Sequence, residues 1–250
     1  MTKAIILASQ RSGSTFLQDC LTTHPQIHSV GELLIDGGSN VYVPDLILGS
    51  RFVTKTYRFM ISGAWYPTRL MTRFFESGER PVKVFKAMYN HIANPWSLGY
   101  LREHTEIRIL HLRRHNMLKQ YVSHLLLARK RVKKWEPHAF QPIPVVTTRV
   151  EPGAALDYLR KARAMYEHYD SVFAHHQRLP LVYEKMIDGQ VLREDVGRAI
   201  CDFLGVPPVA MKSRLLKMNP DSLHEMVTNY DELARALKSS EFADLLDQHS

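Results

Sequence analysis

The sequence predicts an α/β fold, a central and mainly parallel sheet flanked by helices. Three observations carry this expectation. Ala4 to Ala8 is a continuous apolar run that stops at the polar turn Ser9-Gln10-Arg11, the pattern of a strand buried on both faces. Phe16, Leu17, Cys20 and Leu21 follow at helical spacing, so the chain opens strand, tight loop, helix. The same order recurs downstream, where Ile107 to Leu112 leads into Arg113-Arg114-His115-Asn116 and a further helix, and strands alternating with helices make a parallel sheet.

Taken in order, the first strand is Ala4 to Ala8 and the first helix runs from Ser14 to Thr22. Val30 to Leu34 reads as a short second strand or the loop beside it. Residues 35 to 80 carry Gly37-Gly38, many aromatics and scattered basic residues, and read as loops and helices that form a helical lid. Pro81 to Lys86 and Ile107 to Leu112 are the next strands, the latter followed by a helix through about Lys130. Residues 131 to 150 hold three prolines and form a second lid segment. Ala154 to His176 is a long amphipathic helix, Leu179 to Tyr183 the last strand, and Val191 to Leu204 a helix closed by Gly205. From Pro220 onward one or two polar helices are expected. The expectation is a single domain over residues 1–250 with four or five strands, lid insertions at about 35–80 and 131–150, and no internal repeat.

The 250 residues are 45% hydrophobic and 23% charged, ordinary values for a globular chain. The net charge of +8 allows nucleic acid, an anionic membrane surface or a polyanionic small molecule as partner and does not choose among them. Cys20 and Cys201 are far apart, in apolar surroundings, and make neither a disulfide framework nor a metal spacing. The opening apolar run is too short for a secretory core, and no segment reaches the roughly 20 apolar residues of a bilayer span. A cytoplasmic protein is expected.

The chemistry-bearing residues fall at two strand-to-helix turns. Ser9-Gln10-Arg11-Ser12-Gly13-Ser14-Thr15 lies where unpaired helix N–H groups and the positive dipole end are offered. Gly13 lets the backbone approach an anion, Ser12, Ser14 and Thr15 add hydroxyls, and Arg11 adds a charged fork. Against the nucleotide-triphosphate loop Gly-x4-Gly-Lys-Ser/Thr, Ala8 replaces the first glycine and Ser14 the lysine, and no acidic partner for magnesium is evident. The loop suits a phosphate without a metal. Arg114 and Ser123 belong to the second turn and the helix after it. In open α/β sheets ligands bind outside the carboxyl ends of the strands, so both turns point to one edge, and Ser123 could join Arg114 on a second phosphate.

On these residues the chain resembles the 3′-phosphoadenosine 5′-phosphosulfate (PAPS)-dependent sulfotransferase superfamily, and is similar to bacterial carbohydrate sulfotransferases of the trehalose and Nod-factor type. Arg11-Ser12-Gly13-Ser14-Thr15 matches the family's loop for the 5′-phosphosulfate, and Arg114 with Ser123 its pair for the 3′-phosphate. Phe85-Lys86-Ala87-Met88-Tyr89, Leu181-Val182-Tyr183-Glu184, Asp202-Phe203-Leu204-Gly205 and Asn229-Tyr230-Asp231-Glu232-Leu233 are similar to further stretches. The arginine-lysine-glycine adenine loop of the animal cytosolic branch is absent, which leaves Lys212, Arg214 and Lys217 as substitutes without an assignment.

The resemblance implies a P-loop-like sulfotransferase fold with PAPS as co-substrate and no metal. Arg11 and Lys86 stabilise the leaving phosphate, and Glu32 is the general base; His28 and His91 are its rivals, since histidine serves in other branches. It implies a small carbohydrate or glycolipid acceptor, no nucleic acid, and a homodimer. Aromatics in the lid, such as Trp65, Tyr66 and Trp135, suit sugar rings or an acyl chain, and the basic residues among them allow peripheral membrane contact. The alternatives are a P-loop kinase or NTPase, a catalytically inactive PAPS fold, and a basic nucleic-acid or membrane-surface binder.

Overall fold

The computed structural model describes residues 1–34, 65–132, 146–216, 220 and 222–246, with 65, 66 and 130–132 described by their backbone alone. The elements in chain order are β1 (Thr2–Ala8), α1 (Ser14–Thr22), β2 (Ile27–Glu32), α2 (Trp65–Glu76), β3 (Val82–Met88), α3 (Tyr89–Ile92), α4 (Pro95–Glu103), β4 (Arg108–Arg113), α5 (Met117–Val132), α6 (Pro152–Val172), β5 (Arg178–Val182), α7 (Tyr183–Met186), β6 (Ile187–Asp188), β7 (Val191–Leu192), α8 (Glu194–Leu204) and α9 (Tyr230–Lys238), with a 3-10 turn at Ala243–Leu245. They form two compact units. Met1–Arg113 with Val172–Ser213 make the first; Arg114–Ser171 with Arg214–Ser250 make the second.

The first unit holds a five-stranded sheet in the order β2-β3-β1-β4-β5. Every pairing in it is parallel, as the continuous apolar runs predict. The chain moves from β1 outward to β2 and returns to β3 on one side, then crosses to β4 on the other. The carboxyl end of β1 therefore lies at the switch point of the sheet, where open α/β folds place their ligands.

Alternation sorts the strand residues onto two faces. Ala4, Ile6, Ala8, Val82, Val84, Met88, Leu110 and Leu112 pack with Leu17, Cys20 and Leu21 of α1 and with Ile200, Cys201 and Leu204 of α8. On the other face Phe85 meets Phe74 and Phe75 of α2, with ring centroids 5.6 Å apart in both pairs. Both cysteines are free and buried, as their apolar neighbours predict.

Some boundaries differ from expectation. The second strand is Ile27–Glu32 and starts earlier than Val30, because Ile27 pairs with Val82 on the buried face. The helix expected from Val191 begins at Glu194. Val191 and Leu192 instead turn back on Ile187 and Asp188 as a hairpin, closed through Gly189 at φ 60, and Val191 bridges Lys212. The part of the first lid segment that is described, α2, packs Phe74 and Phe75 into the core; residues 35–64 and 133–145, with Trp135, lie outside the described residues.

In the second unit the Asn229 side chain accepts from the Val150 amide at 2.9 Å and donates to its carbonyl at 2.8 Å. It thus stands in for a strand neighbour and ties α9 to the segment before α6. Arg163 lies over the Phe242 ring at 4.4 Å, and Arg160 pairs with Glu241 at 2.8 Å. Among the described residues, no helix is long and apolar enough to cross a membrane.

Candidate active site

The loop between β1 and α1 is built from two left-handed residues. Arg11 has φ 61 and Gly13 φ 90, a conformation that costs a non-glycine residue about 1–2 kcal/mol. The tight reversal aims the start of α1 back at the sheet. Gly13 is the N-cap of α1, and its carbonyl takes the first helical bond, from the Leu17 amide at 3.2 Å. The amides that precede Leu17 in the first turn have no intrahelical acceptor and face out of the helix end.

Glycine at position 13 is required twice over. A Cβ there would come 2.0 Å from Cδ2 of Tyr183, so the aromatic ring lies against the loop backbone. Tyr183 is the first residue of α7, directly after β5. Its distance in sequence from Gly13 hides the contact from any local reading of the residues.

The hydroxyls of the loop are directed inward. Ser12 is fully buried and donates to the Ser9 carbonyl at 2.8 Å. Ser14 reaches Sδ of Met88 at 3.8 Å. Thr15 accepts a hydrogen bond from Nζ of Lys86 at 2.9 Å.

Lys86 is the centre of the arrangement. It stands near the carboxyl end of β3, is 4% exposed, and its Nζ lies 3.2 Å from Oε1 of Glu32. Burial pulls its pKa below that of an ordinary lysine; Glu32 opposes the fall and the charge of Arg11 adds to it. The charges of Arg11, Lys86 and Glu32 thus act on one another beside the loop.

A bulge puts Glu32 there. Val30 pairs with Phe85 and Glu32 with Lys86, so Gly31 is accommodated as an extra residue. Strict alternation would turn Glu32 to the face of Val30; the bulge turns it to the face of Lys86 and α1. His91, in α3, approaches the second carboxylate oxygen, with Nε2 3.9 Å from Oε2.

His28 is elsewhere. It pairs with Lys83 near the amino end of β3, on the face where it stacks on Phe74 at 5.8 Å. Burial chiefly, then Lys83 and Arg80, hold its pKa below the usual histidine value. It lies about 13 Å along the strand from Glu32. Of the two histidine rivals, His91 alone stands beside Glu32.

The second turn divides between the units. Arg113 ends β4 and donates to Nδ1 of His111 at 3.5 Å; Nε2 of that buried histidine meets the Tyr89 hydroxyl at 2.6 Å. Asn116 caps α5, accepting from the Lys119 amide at 2.9 Å. Arg114 opens the second unit, and its amide donates to the Tyr166 hydroxyl at 3.3 Å. Ser123 is 5% exposed, about two turns into α5. Sequence reading missed Tyr166 as a polar partner, since it reads only as one of the apolar positions of α6.

Among the described residues no group of three or more histidine, cysteine or acidic side chains could hold a metal ion. Arg11, Ser12, Gly13, Ser14, Thr15, Glu32 and Lys86 thus come together in the first unit, while Arg114 and Ser123 belong to the second.

Comparison with solved structures shows the same fold in other proteins. A sulfotransferase from Alicyclobacillus acidocaldarius matches with a TM-score of 0.52 at 16% identity, over 99% of this chain and 93% of that one. The sulfotransferase domain of the olefin synthase from Synechococcus PCC 7002 matches with a TM-score of 0.50 at 19% identity, over 82% of this chain and 74% of that one. No family model matches the chain, and no curated protein sequence does.

Proposed function

We propose that this chain is a sulfotransferase that moves a sulfuryl group from PAPS to a hydroxyl of a carbohydrate or glycolipid. The observation that carries the reading is Lys86, held between Thr15 and Glu32 with Arg11 beside it. The fold shared with two sulfotransferases supports it, as does Ser14 standing where a triphosphate loop has its lysine.

On this reading the amides of residues 12 to 15, Arg11 and Lys86 take the 5′-phosphosulfate. Arg114 and Ser123 take the 3′-phosphate. Glu32 accepts the acceptor hydroxyl's proton as its oxygen attacks sulfur. The bond from sulfur to the 5′-phosphate oxygen breaks, and adenosine 3′,5′-bisphosphate leaves with its new negative charge against Lys86 and Arg11. Positioning and fixed charge do most of the work, as in phosphoryl transfer. The transferred group starts and ends on oxygen, with no change of oxidation state.

The acceptor class, a cytoplasmic location, a homodimer, peripheral membrane contact and a single functional domain are part of the proposal and rest on the resemblance and composition. A triphosphate kinase is the second reading, favoured only by the loop's general shape. A thermal-shift panel of adenosine 3′,5′-bisphosphate, ADP and ATP with magnesium separates the two. Stabilisation by the bisphosphate alone is expected; a response confined to ATP with magnesium overturns the assignment. Labelled PAPS with a glycan and glycolipid panel then tests transfer.

A further inference from the structure

We propose that Tyr166 is the positioning residue for Arg114, and that it thereby sets the chain's preference for a 3′-phosphorylated nucleotide over its 5′-monophosphate counterpart. The inference rests on the reading of Arg114 as the 3′-phosphate ligand and concerns the second unit only.

Arg114 follows the last residue of β4 and precedes the first of α5 at Met117. Its amide is therefore beyond the strand ladder and outside the helix, a donor that regular structure does not use. Tyr166 uses it: the phenolic oxygen accepts the Arg114 amide at 3.3 Å and gives its own proton to Oε1 of Gln120 at 3.3 Å. Both partners are deep, Gln120 being 1% and Tyr166 8% exposed. A buried hydroxyl that both accepts and donates constrains its neighbours' geometry, because hydrogen bonds are stronger in the low-dielectric interior than in water.

Gln120 and Ser123 are three apart on α5 and share its buried face. Tyr166 therefore ties the backbone of Arg114 to the side of the helix that carries Ser123. Tyr158, about two turns earlier on α6, feels the same arginine. Burial pushes its phenol up to about 12, with Tyr166 adding to the rise and the charge of Arg114 opposing it. The Tyr158 ring stacks on Tyr121 of α5 at 4.7 Å. Of Tyr158 and Tyr166, Tyr166 is the one that meets Arg114 directly, at its backbone amide.

The tests are Tyr166→Phe, which keeps the ring and removes the hydroxyl, and Gln120→Leu, which removes the acceptor. Leu159→Ala is the packing control, since Leu159 is fully buried in α6 and has no polar role. Calorimetry measures the affinity of each protein for adenosine 3′,5′-bisphosphate and for adenosine 5′-monophosphate. The wild type is expected to prefer the bisphosphate. Tyr166→Phe and Gln120→Leu should each cut that preference about five- to tenfold, by weakening the bisphosphate alone, the size of one hydrogen bond. Leu159→Ala should lower thermal stability and leave the preference unchanged. If the wild type shows no preference, the assignment of Arg114 falls and this inference with it. If the wild type prefers the bisphosphate and either folded polar variant keeps that preference, or Leu159→Ala loses it equally, Tyr166 is packing only. Should Tyr166→Phe fail to fold, Gln120→Leu decides.

Discussion

Glu32 and Lys86 face each other at 3.2 Å because the ladder between their strands slips by one residue at Gly31. A regular β2 would have carried the carboxylate to the opposite face of the sheet, against the aromatic layer of Phe74, Phe75 and Phe85. The slip brings the carboxylate and the lysine ammonium into an ion pair across the two strands.

The role of Glu32 can be tested by both chemistry and geometry. Glu32→Gln should lower turnover by about 10²–10⁴-fold, the usual worth of a positioned base, with affinity for adenosine 3′,5′-bisphosphate near wild type. Exchanging the two residues, with Gly31→Glu and Glu32→Gly together, keeps composition and moves the carboxylate onto the bulged position. It should lose as much. Deleting Gly31 closes the bulge with Glu32 still opposite Lys86 and should retain most turnover. An active exchange variant would remove Glu32 from the base role.

Lys86 links activity to pH-dependent stability. Lys86→Met should cost about 10²–10³ in turnover, as for one lost charge-stabilising donor, while leaving stability at neutral pH equal or higher. The folded protein holds this lysine's pKa below the ordinary 10.5, so folding disfavours its charged form. That cost is fully present below the folded pKa and disappears as pH rises from there toward 10.5, where the unfolded chain also loses its proton. Wild type should therefore gain stability relative to Lys86→Met across that alkaline window. Denaturation midpoints of the two proteins at stepped pH check the sign; a constant difference would contradict it.

Gly13→Ala should destabilise the protein through two separable effects. The left-handed backbone costs about 1–2 kcal/mol for any L side chain. The new Cβ also displaces the Tyr183 ring, which it would meet at 2.0 Å. In a Tyr183→Ala background the second part should vanish and the first remain. A double-mutant cycle on unfolding free energy reads the coupling directly. Additive losses would mean that the ring and the loop are not in contact.

Arg114→Ala should weaken adenosine 3′,5′-bisphosphate about 10- to 100-fold, the range of one charge-assisted hydrogen bond, and leave adenosine 5′-monophosphate within about twofold. Ser123→Ala should act in the same direction and less, since it removes a neutral donor. Calorimetry on the same two nucleotides is the check. An unchanged bisphosphate affinity in Arg114→Ala would take the second turn out of the donor site.

The strand-loop-helix from Ala4 to Thr22 was legible in the sequence because its signals are local. An apolar run, a glycine at the turn and helical spacing after it need no knowledge of the partner. Lys86 at a strand's carboxyl end and Arg114 after another were legible for the same reason. The helix expected at Val191 failed because two residues were claimed by a hairpin with Ile187 and Asp188, a pairing that periodicity does not record.

The fold class and the parallel sheet were already written in the order of residues, since burial pattern and turn chemistry reside in neighbouring positions. Tertiary structure alone decided that Glu32 faces Lys86, that His28 lies on the far face beside Phe74, that Tyr183 covers Gly13 and that Tyr166 holds Arg114. Each of these depends on the register or packing between segments distant along the chain. That choice is made by which partner completes the core and satisfies the buried polar groups, and no single segment carries it.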